Sequence, residues 1–377
     1  MDSDISFTTP ILLQAKTDFR DSFANFVRPE WLYHASLVFI IITILLVLGT
    51  YYTLYAKKKT HLFRKNVREA LEQWITDVIL SDSVTNVVVP DHLAPLFKHS
   101  YIRQMLIEEL VKEKRSFLGE TSDNIVKIYD QVGLDGDSRL KLESNKKHLQ
   151  CQGIHELCVM EQKDYLPKVY RLTNSEDPDV RIEAQTAVIQ WYGFRGLRFL
   201  DVVTYPITEF QQLKLLELLR PLKLTGLPKL SKWIQSDNYT VADFALKLAE
   251  HYKQQQVHEE AVKCLDYPHE AVRVQAVKTL ATIGTKETAD LLTKTYYRER
   301  FTNRLNILTE LPKLAGNDQR DFLISQLHEG HEYLKIAAAR ALAKCTEEGM
   351  EILEAKAYEE PIPYKQIYLH IKAEMAK

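Results

Sequence analysis

Cys151 and Cys158 stand seven positions apart in "CQGIHELC", and His148 and His155 keep the same interval across that stretch. On a helix seven positions make about two turns, so each pair shares a face. Two thiols placed so could act as a redox pair, and two imidazoles could begin a metal site. For the thiols the geometry argues otherwise, because about 10 Å along a helix axis exceeds the reach of a disulfide. No CxxC, HExxH, GxSxG, P-loop or GxGxxG occurs, so the zinc-ribbon, thioredoxin, zincin, hydrolase and nucleotide-binding readings lack their signatures. With Cys264 and Cys345, the cysteines read as small buried side chains whose free thiols fit a reducing compartment. "GLDGDSRLKLE" (133–143) hints at a calcium loop, but Asp135-Gly136-Asp137 does not place acids at alternate positions before the glycine and reads as a turn. These residues therefore predict no catalytic group, no metal, no cofactor and no small-molecule substrate.

The elements that carry them begin with a greasy one. From Trp31 to Ala56 there is no Asp, Glu, Lys or Arg, and "SLVFIIITILLVLGTYYTLY" is a continuous apolar run. About 20 residues at 1.5 Å each cross the roughly 30 Å hydrocarbon layer. Trp31 and Tyr33 mark one end, with Tyr51, Tyr52 and Tyr55 at the other, where amphipathic rings favour the membrane interface. A cleaved signal peptide would have a shorter apolar run, fewer residues ahead of it and a small-residue cleavage site. Lys57, Lys58, Lys59, Arg64, Lys65 and Arg68 follow the run, whereas Lys16, Arg20 and Arg28 precede it among five acids. Positive residues stay inside, so a single-pass protein of the cell (inner) membrane with a cytoplasmic C-terminal part is expected. The basic run could also touch anionic headgroups, at roughly 1 kcal/mol per charge.

The bulk numbers agree with a long helical chain. At 377 residues it exceeds one ordinary compact domain. A net charge of −2 lacks the basic excess of a nucleic-acid binder, so no nucleic-acid partner is expected. Gly (12) and Pro (13) are scarce, which favours helix over linkers.

The strongest signal is a repeat. Gly153, Ala184, Leu215, Ala245, Ala276, Ile307 and Ala338 follow one another at intervals of 31, 31, 30, 31, 31 and 31 residues. Four positions after these anchors stand Leu157, Val188, Leu219, Ala249, Leu280, Leu311 and Leu342, and seven after them Met160, Trp191, Leu222, Tyr252, Ile283, Leu314 and Cys345. Four before them stand Leu149, Val180, Gln211, Val241, Val272, Asn303 and Leu334. Offsets of −4, 0, +4 and +7 trace one stripe of a helix, and a small anchor suits a place where two helices approach closely. Asp177 before Pro178, and Thr208 with Gln211, are predicted caps. Gly193, Gly226, Gly284, Gly316 and Gly349 are predicted left-handed helix ends. A shorter helix fits each gap, as in 227–236, 287–297 and 318–328. Hairpins of this kind bury their stripe only by stacking.

The units "DPDVRIEAQTAVIQWYG" (177–193), "HEAVRVQAVKTLATIG" (269–284) and "HEYLKIAAARALAKC" (331–345) resemble the HEAT repeat, in particular its short variety named after phycobilisome lyases. The layout of arm, span and array is similar to single-pass HEAT proteins of Bacteroidota envelopes, which go with polysaccharide-handling membrane systems. The resemblance implies protein–protein scaffolding and carries over no catalytic residue. The expected fold is all-α: a single transmembrane helix followed by a right-handed α-solenoid of about seven HEAT-like helical hairpins. Its segments are a short extracytoplasmic arm (1–30), the transmembrane helix (31–56), a juxtamembrane helical segment (57–120), the solenoid (121–350) and a C-terminal cap (351–377).

Lys247, Lys278 and Arg340 each lie two positions past an anchor, so they are candidates for a basic strip facing an acidic partner. Tyr267, Tyr296, Tyr297, Trp191 and Trp233 are candidate interface anchors or core residues. The expected function is a membrane-anchored scaffold for a membrane-associated protein partner, with the bilayer held through the span, Trp31, Tyr33, Tyr51, Tyr52, Tyr55, Lys57, Lys58 and Lys59. The partner would be an envelope polysaccharide or secretion-system component. Its rivals are a signal-transmitting regulatory subunit and a lyase-like enzyme.

Overall fold

The computed structural model describes residues 29–80, 87–117, 119–223, 226–227, 229–314 and 316–376. The expected outer arm falls almost wholly outside them. Among the described residues there are eighteen α-helices, short 3-10 segments and no strand. The chain divides into two compact units, Met1–Glu109 and Leu110–Lys377.

In the first unit, α1 (Pro29–Ile79) is one unbroken helix of 51 residues. The apolar run and the basic stretch after it are thus continuous, since Lys, Arg, Leu and Glu sustain a helix as well as the span does. Its upper part is bare: the large side chains from Trp31 to Tyr55 are exposed throughout. This helix is long and apolar enough to cross a membrane. Its lower part is amphipathic and buries Val67, Leu71, Trp74, Ile75 and Ile79, while Leu62 stays exposed. Facing them are Leu93 and the first turns of α2 (Ser100–Ser116), where Ile102, Met105, Leu106 and Ile107 are buried. The Trp74 indole donates to the Val88 carbonyl at 3.1 Å, and Arg68 pairs with Glu109 at 3.0 Å.

The second unit is an α-solenoid. It opens with α3 (Glu120–Gln131) and α4 (Asp135–Leu142). The segment expected to turn at Asp135-Gly136-Asp137 is instead the first turn of α4, where acids complement the helix dipole; the turn lies upstream, at Gly133 with φ 67°. Seven helices then carry the seven anchors: α5 (Lys147–Val159), α7 (Pro178–Tyr192), α8 (Glu209–Leu219), α10 (Tyr239–His251), α12 (Glu270–Ile283), α14 (Phe301–Glu310) and α16 (Glu332–Cys345). Every anchor and every +4 residue is buried. The +7 positions are less so, and Leu222 is exposed because α8 ends three residues before it.

A second set of helices fills the gaps, four of them under eight residues: α6 (Leu166–Leu172), α9 (Leu230–Ile234), α11 (His258–Lys263), α13 (Lys286–Tyr296), α15 (Arg320–Gln326) and α17 (Gly349–Glu359). After α7 the gap holds a nine-residue 3-10 segment instead, Gly193–Asp201. Last comes α18 (Pro361–Met375), which with α17 buries Leu353, Ala357, Tyr364, Ile367, Tyr368 and Ile371 in the same core that runs from Ile189 onward. A second cluster joins Leu142 to α5, α6 and α7.

The caps follow local chemistry. The Asp177 carboxylate accepts from the Asp179 and Val180 amides at 3.1 Å, and Thr208 caps Gln211. Of the five predicted left-handed glycines, Gly193 ends α7 with φ 54° and Gly226 has φ 111°. Gly226, however, lies well past α8. The other three differ because the following turn governs them: Gly284 and Gly316 are extended ahead of capping boxes, and Gly349 opens α17. Close approach is real at the Gly153 anchor, where an added Cβ would fall 2.7 Å from the Ser138 carbonyl oxygen and closer still to the Leu142 amide.

Candidate interaction surfaces

Lys247, Lys278 and Arg340 occupy equivalent turns of α10, α12 and α16, but their surroundings differ. The Lys247 ammonium bridges Asp243 at 2.8 Å and the Gln212 side chain at 2.7 Å. The Arg340 guanidinium grips Glu374 of α18 with two bonds, at 2.7 and 2.8 Å, and this pairing holds the Glu374 carboxyl below its ordinary range. Lys278 makes no ion pair among the described residues and is half-buried. On α14 the same offset holds Thr309, so the strip is interrupted. Two of its three cations are already matched by carboxylates of this chain.

The thiols and histidines resolve into packing. Cys158 is buried, burial pushes its thiol up to about 12, and it donates to the Gln190 side chain at 2.9 Å. Burial likewise raises Cys264 and Cys345 to about 11. All four cysteines are free. His155 pairs with Glu183 at 2.8 Å and touches Arg115, while His148 is exposed. No group of three His, Cys, Asp or Glu suited to a metal occurs among the described residues. Trp191, Trp233 and Tyr296 are buried, Tyr267 is half-buried with its hydroxyl on the Ser236 carbonyl at 2.9 Å, and Tyr297 is exposed.

Two surface features escaped the sequence reading. The first is an aromatic–histidine row along the edge where successive long helices begin. Tyr239 stacks on His269 with centroids 3.8 Å apart, and Phe301 meets His331 at 4.2 Å, with Tyr333 beside it. Tyr239, His269, Phe301 and His331 lie six or seven positions before their anchors (245 to 239, 276 to 269, 307 to 301, 338 to 331), so the interval that located the stripe also contained this row.

The second lies at the 3-10 segment. "GFRGLRFLD" tucks Phe194, Leu197, Phe199 and Leu200 inward and turns Arg195 and Arg198 outward. Gly196 is held against α7, where a Cβ would meet the Val188 carbonyl oxygen at 2.6 Å. Two hollows of ≈ 420 and ≈ 430 Å³ flank the two arginines. Tyr170 and Tyr192 line one, and Phe194, Leu227 and Trp233 line the other. Asp201 is occupied by the Trp233 indole at 3.1 Å and by Lys229 and Lys232. Burial works to raise its carboxyl, but these donors hold it below the ordinary range. Arg195 and Arg198 form no ion pair among the described residues. Unpaired guanidinium groups beside the exposed Tyr192 ring suit an acidic, partly aromatic partner surface.

Residues 227–302 match the HEAT-repeat family model. A crystal structure of a Kap121p mutant is similar over 78% of this chain and 39% of its own, at a TM-score of 0.51 and 11% identity. This chain thus spans about two fifths of that protein's length. Two crystal structures of engineered proteins match with TM-scores of 0.36 and 0.23, at 14% and 13% identity, covering 82% and 74% of this chain and 95% and 99% of theirs. No curated protein sequence matches. At these identities the likeness shows the fold. HEAT repeats suggest a protein-interaction scaffold, and their solenoid is typically non-catalytic.

Proposed function

We propose that this chain is a membrane-anchored scaffold: α1 crosses the cell membrane once, and the repeats hold a partner protein on the cytoplasmic side. The observation that carries the anchor is the bare upper half of α1, whose large apolar side chains bury nothing. In water such a surface would far exceed the few hundred Å² that a monomer exposes. In a bilayer it is solvated, with Trp31 and Tyr33 at the outer interface and Tyr51, Tyr52, Tyr55, Lys57, Lys58 and Lys59 at the inner one. The short arm then lies outside the cell.

For the partner, the favoured surface is the Arg195/Arg198 patch, and Lys247, Lys278 and Arg340 form a second, largely self-neutralised strip. An acidic component of an envelope polysaccharide or secretion system fits the Arg195/Arg198 patch, and the strip adds Lys278 to it. The test is cross-linking in intact cells, followed by capture from washed, detergent-solubilised membranes. Wild type is expected to sediment with membranes through an alkaline wash and to yield a discrete cross-linked partner. Arg195→Glu with Arg198→Glu is expected to lose that partner at least tenfold while still sedimenting. Recovery in the soluble fraction refutes the anchor. Undiminished capture by the double variant refutes the patch.

A further inference from the structure

The basic stretch below the span does more than signal topology. His61, Arg64, Lys65 and Arg68 recur at i, i+3, i+4 and i+7, so they share one stripe of α1. Across from them Tyr101 and Met105, one turn apart on α2, close a pocket of ≈ 320 Å³. No acid interrupts residues 57–68. Two acids reach the stripe: Glu109 pairs with Arg68 at 3.0 Å, and Glu69 lies 3.6 Å from Lys65. Arg64 and His61 make no ion pair among the described residues. The Arg64 guanidinium lies over the Tyr101 ring, 4.7 Å from its centroid. A guanidinium held by its face keeps its N–H edge free, and that fork matches a phosphate.

Position along α1 narrows the ligand. Counting from Tyr55, His61 lies six residues on and Arg68 thirteen, which is about 9 and 20 Å down the axis at 1.5 Å per residue. The headgroup layer is only about 5–8 Å deep on each side. The pocket therefore opens just beyond the phosphodiester plane. A phosphodiester by itself would meet Lys57, Lys58 and Lys59, whereas a phosphate standing farther out reaches Arg64. Exposed Leu62 and Phe63, on the adjoining faces of the helix, keep this level close to the membrane.

We infer that this pocket binds the terminal phosphate of an anionic lipid headgroup, with Arg64 as the principal donor and His61 and Lys65 beside it. The inference rests on the anchoring reading above. Full-length protein is reconstituted into nanodiscs of phosphatidylcholine carrying either phosphatidylglycerol or phosphatidylinositol 4-phosphate, and retained lipids are counted by native mass spectrometry as detergent is raised. Preferential retention of the terminal-phosphate lipid is expected, weakened about tenfold by Arg64→Gln and less than twofold by Lys58→Gln with Lys59→Gln. Inorganic phosphate at millimolar concentration should not displace it; displacement would mean that the site takes free phosphate and would overturn the lipid assignment. Equal retention of the two anionic lipids, or equal loss in both variants, overturns the pocket while leaving the anchor intact. Failure to enter nanodiscs at all overturns the anchor, and the pocket's ligand with it.

Discussion

Arg273 enters α12 three positions before its anchor, and its guanidinium makes four bonds. Two go to the Tyr267 and Pro268 carbonyls, at 3.0 and 3.1 Å, and two to the Glu299 carboxylate, at 2.9 and 3.3 Å. Glu299 stands just ahead of α14 and is 7% exposed, so the pair fastens one repeat to the next. Arg273→Met keeps the aliphatic stem but strands that carboxylate. Removing one partner of a buried pair costs about 3–5 kcal/mol, and the partial exposure of Arg273 favours the lower end, about 3 kcal/mol. Glu299→Gln should cost less, about 1–2 kcal/mol, because the amide oxygen still accepts from the guanidinium. The double variant leaves no charge unmatched, so it should fall short of the sum of the singles by at least about 1.5 kcal/mol. Hydrogen exchange monitored by mass spectrometry is the right assay, since a stack of repeats opens locally. About 3 kcal/mol corresponds to exchange roughly 100-fold faster. The acceleration should centre on α12 to α14 and leave α5 to α7 unchanged. Additive single effects, or acceleration spread evenly along the unit, would show that Arg273 and Glu299 do not act as a pair between repeats.

Three further outcomes follow from the packing. Gly153→Val should force α4 from α5 and cost about 2–3 kcal/mol, read as lost exchange protection at Ser138 to Cys158; unchanged protection would contradict the close approach. The Cys158 thiol, pushed up to about 12 by burial, should be alkylated at pH 8 about 1,000-fold more slowly in the folded protein than in urea, as peptide mapping would show. Glu183 has its folded pKa below the ordinary 4.5: burial opposes this, but the His155 hydrogen bond and the charges of His155, Lys214 and Arg115 prevail. A depressed carboxyl stabilises the fold above its unfolded pKa and stops doing so as pH falls through the folded one. Thermal melts of wild type should therefore drop more steeply below pH 4.5 than those of Glu183→Gln; parallel curves would remove the pair from the account.

The periodic stripe was legible because burial acts on side chains at fixed offsets, and Ala184, Ala245, Ala276 and Ala338 had to be small wherever helices close in. The 3-10 segment after α7 was not legible. Its Phe194, Leu197 and Leu200 fall three apart, the interval of a 3-10 turn, and so lie off the −4, 0, +4 and +7 stripe that marks the repeat. The segment boundary drawn at residue 57 follows composition alone, since the backbone hydrogen-bond ladder of α1 is indifferent to which side chains it carries. Nor could spacing reveal that Arg340 already has Glu374 as its partner, 34 residues downstream on a helix outside the repeat pattern. Offsets locate a cation on a face, whereas its availability depends on what other elements bring to it.

The position three before each anchor shows how the stack tolerates sequence drift. Arg181 donates to the Ser175 and Glu176 carbonyls, Arg273 to Tyr267 and Pro268, and Arg304 to Glu299 and Tyr297. Gln150 and Gln212 do the same with one amide, to Leu142 and Ile207. In these five units a long side chain satisfies main-chain carbonyls just upstream of its own helix, whereas Lys335 in the last unit lies over the Tyr364 ring. Where the position is Ala242, the task moves to Asn238, whose amide donates to the Val203 and Tyr205 carbonyls of the preceding unit. The requirement is for a donor at the bend, and arginine is one way of supplying it. Arg181, Arg273 and Arg304 are therefore committed to holding the repeats in register. Arg195 and Arg198, on the 3-10 segment that stands in place of a second helix, carry no such task and stay available to a partner.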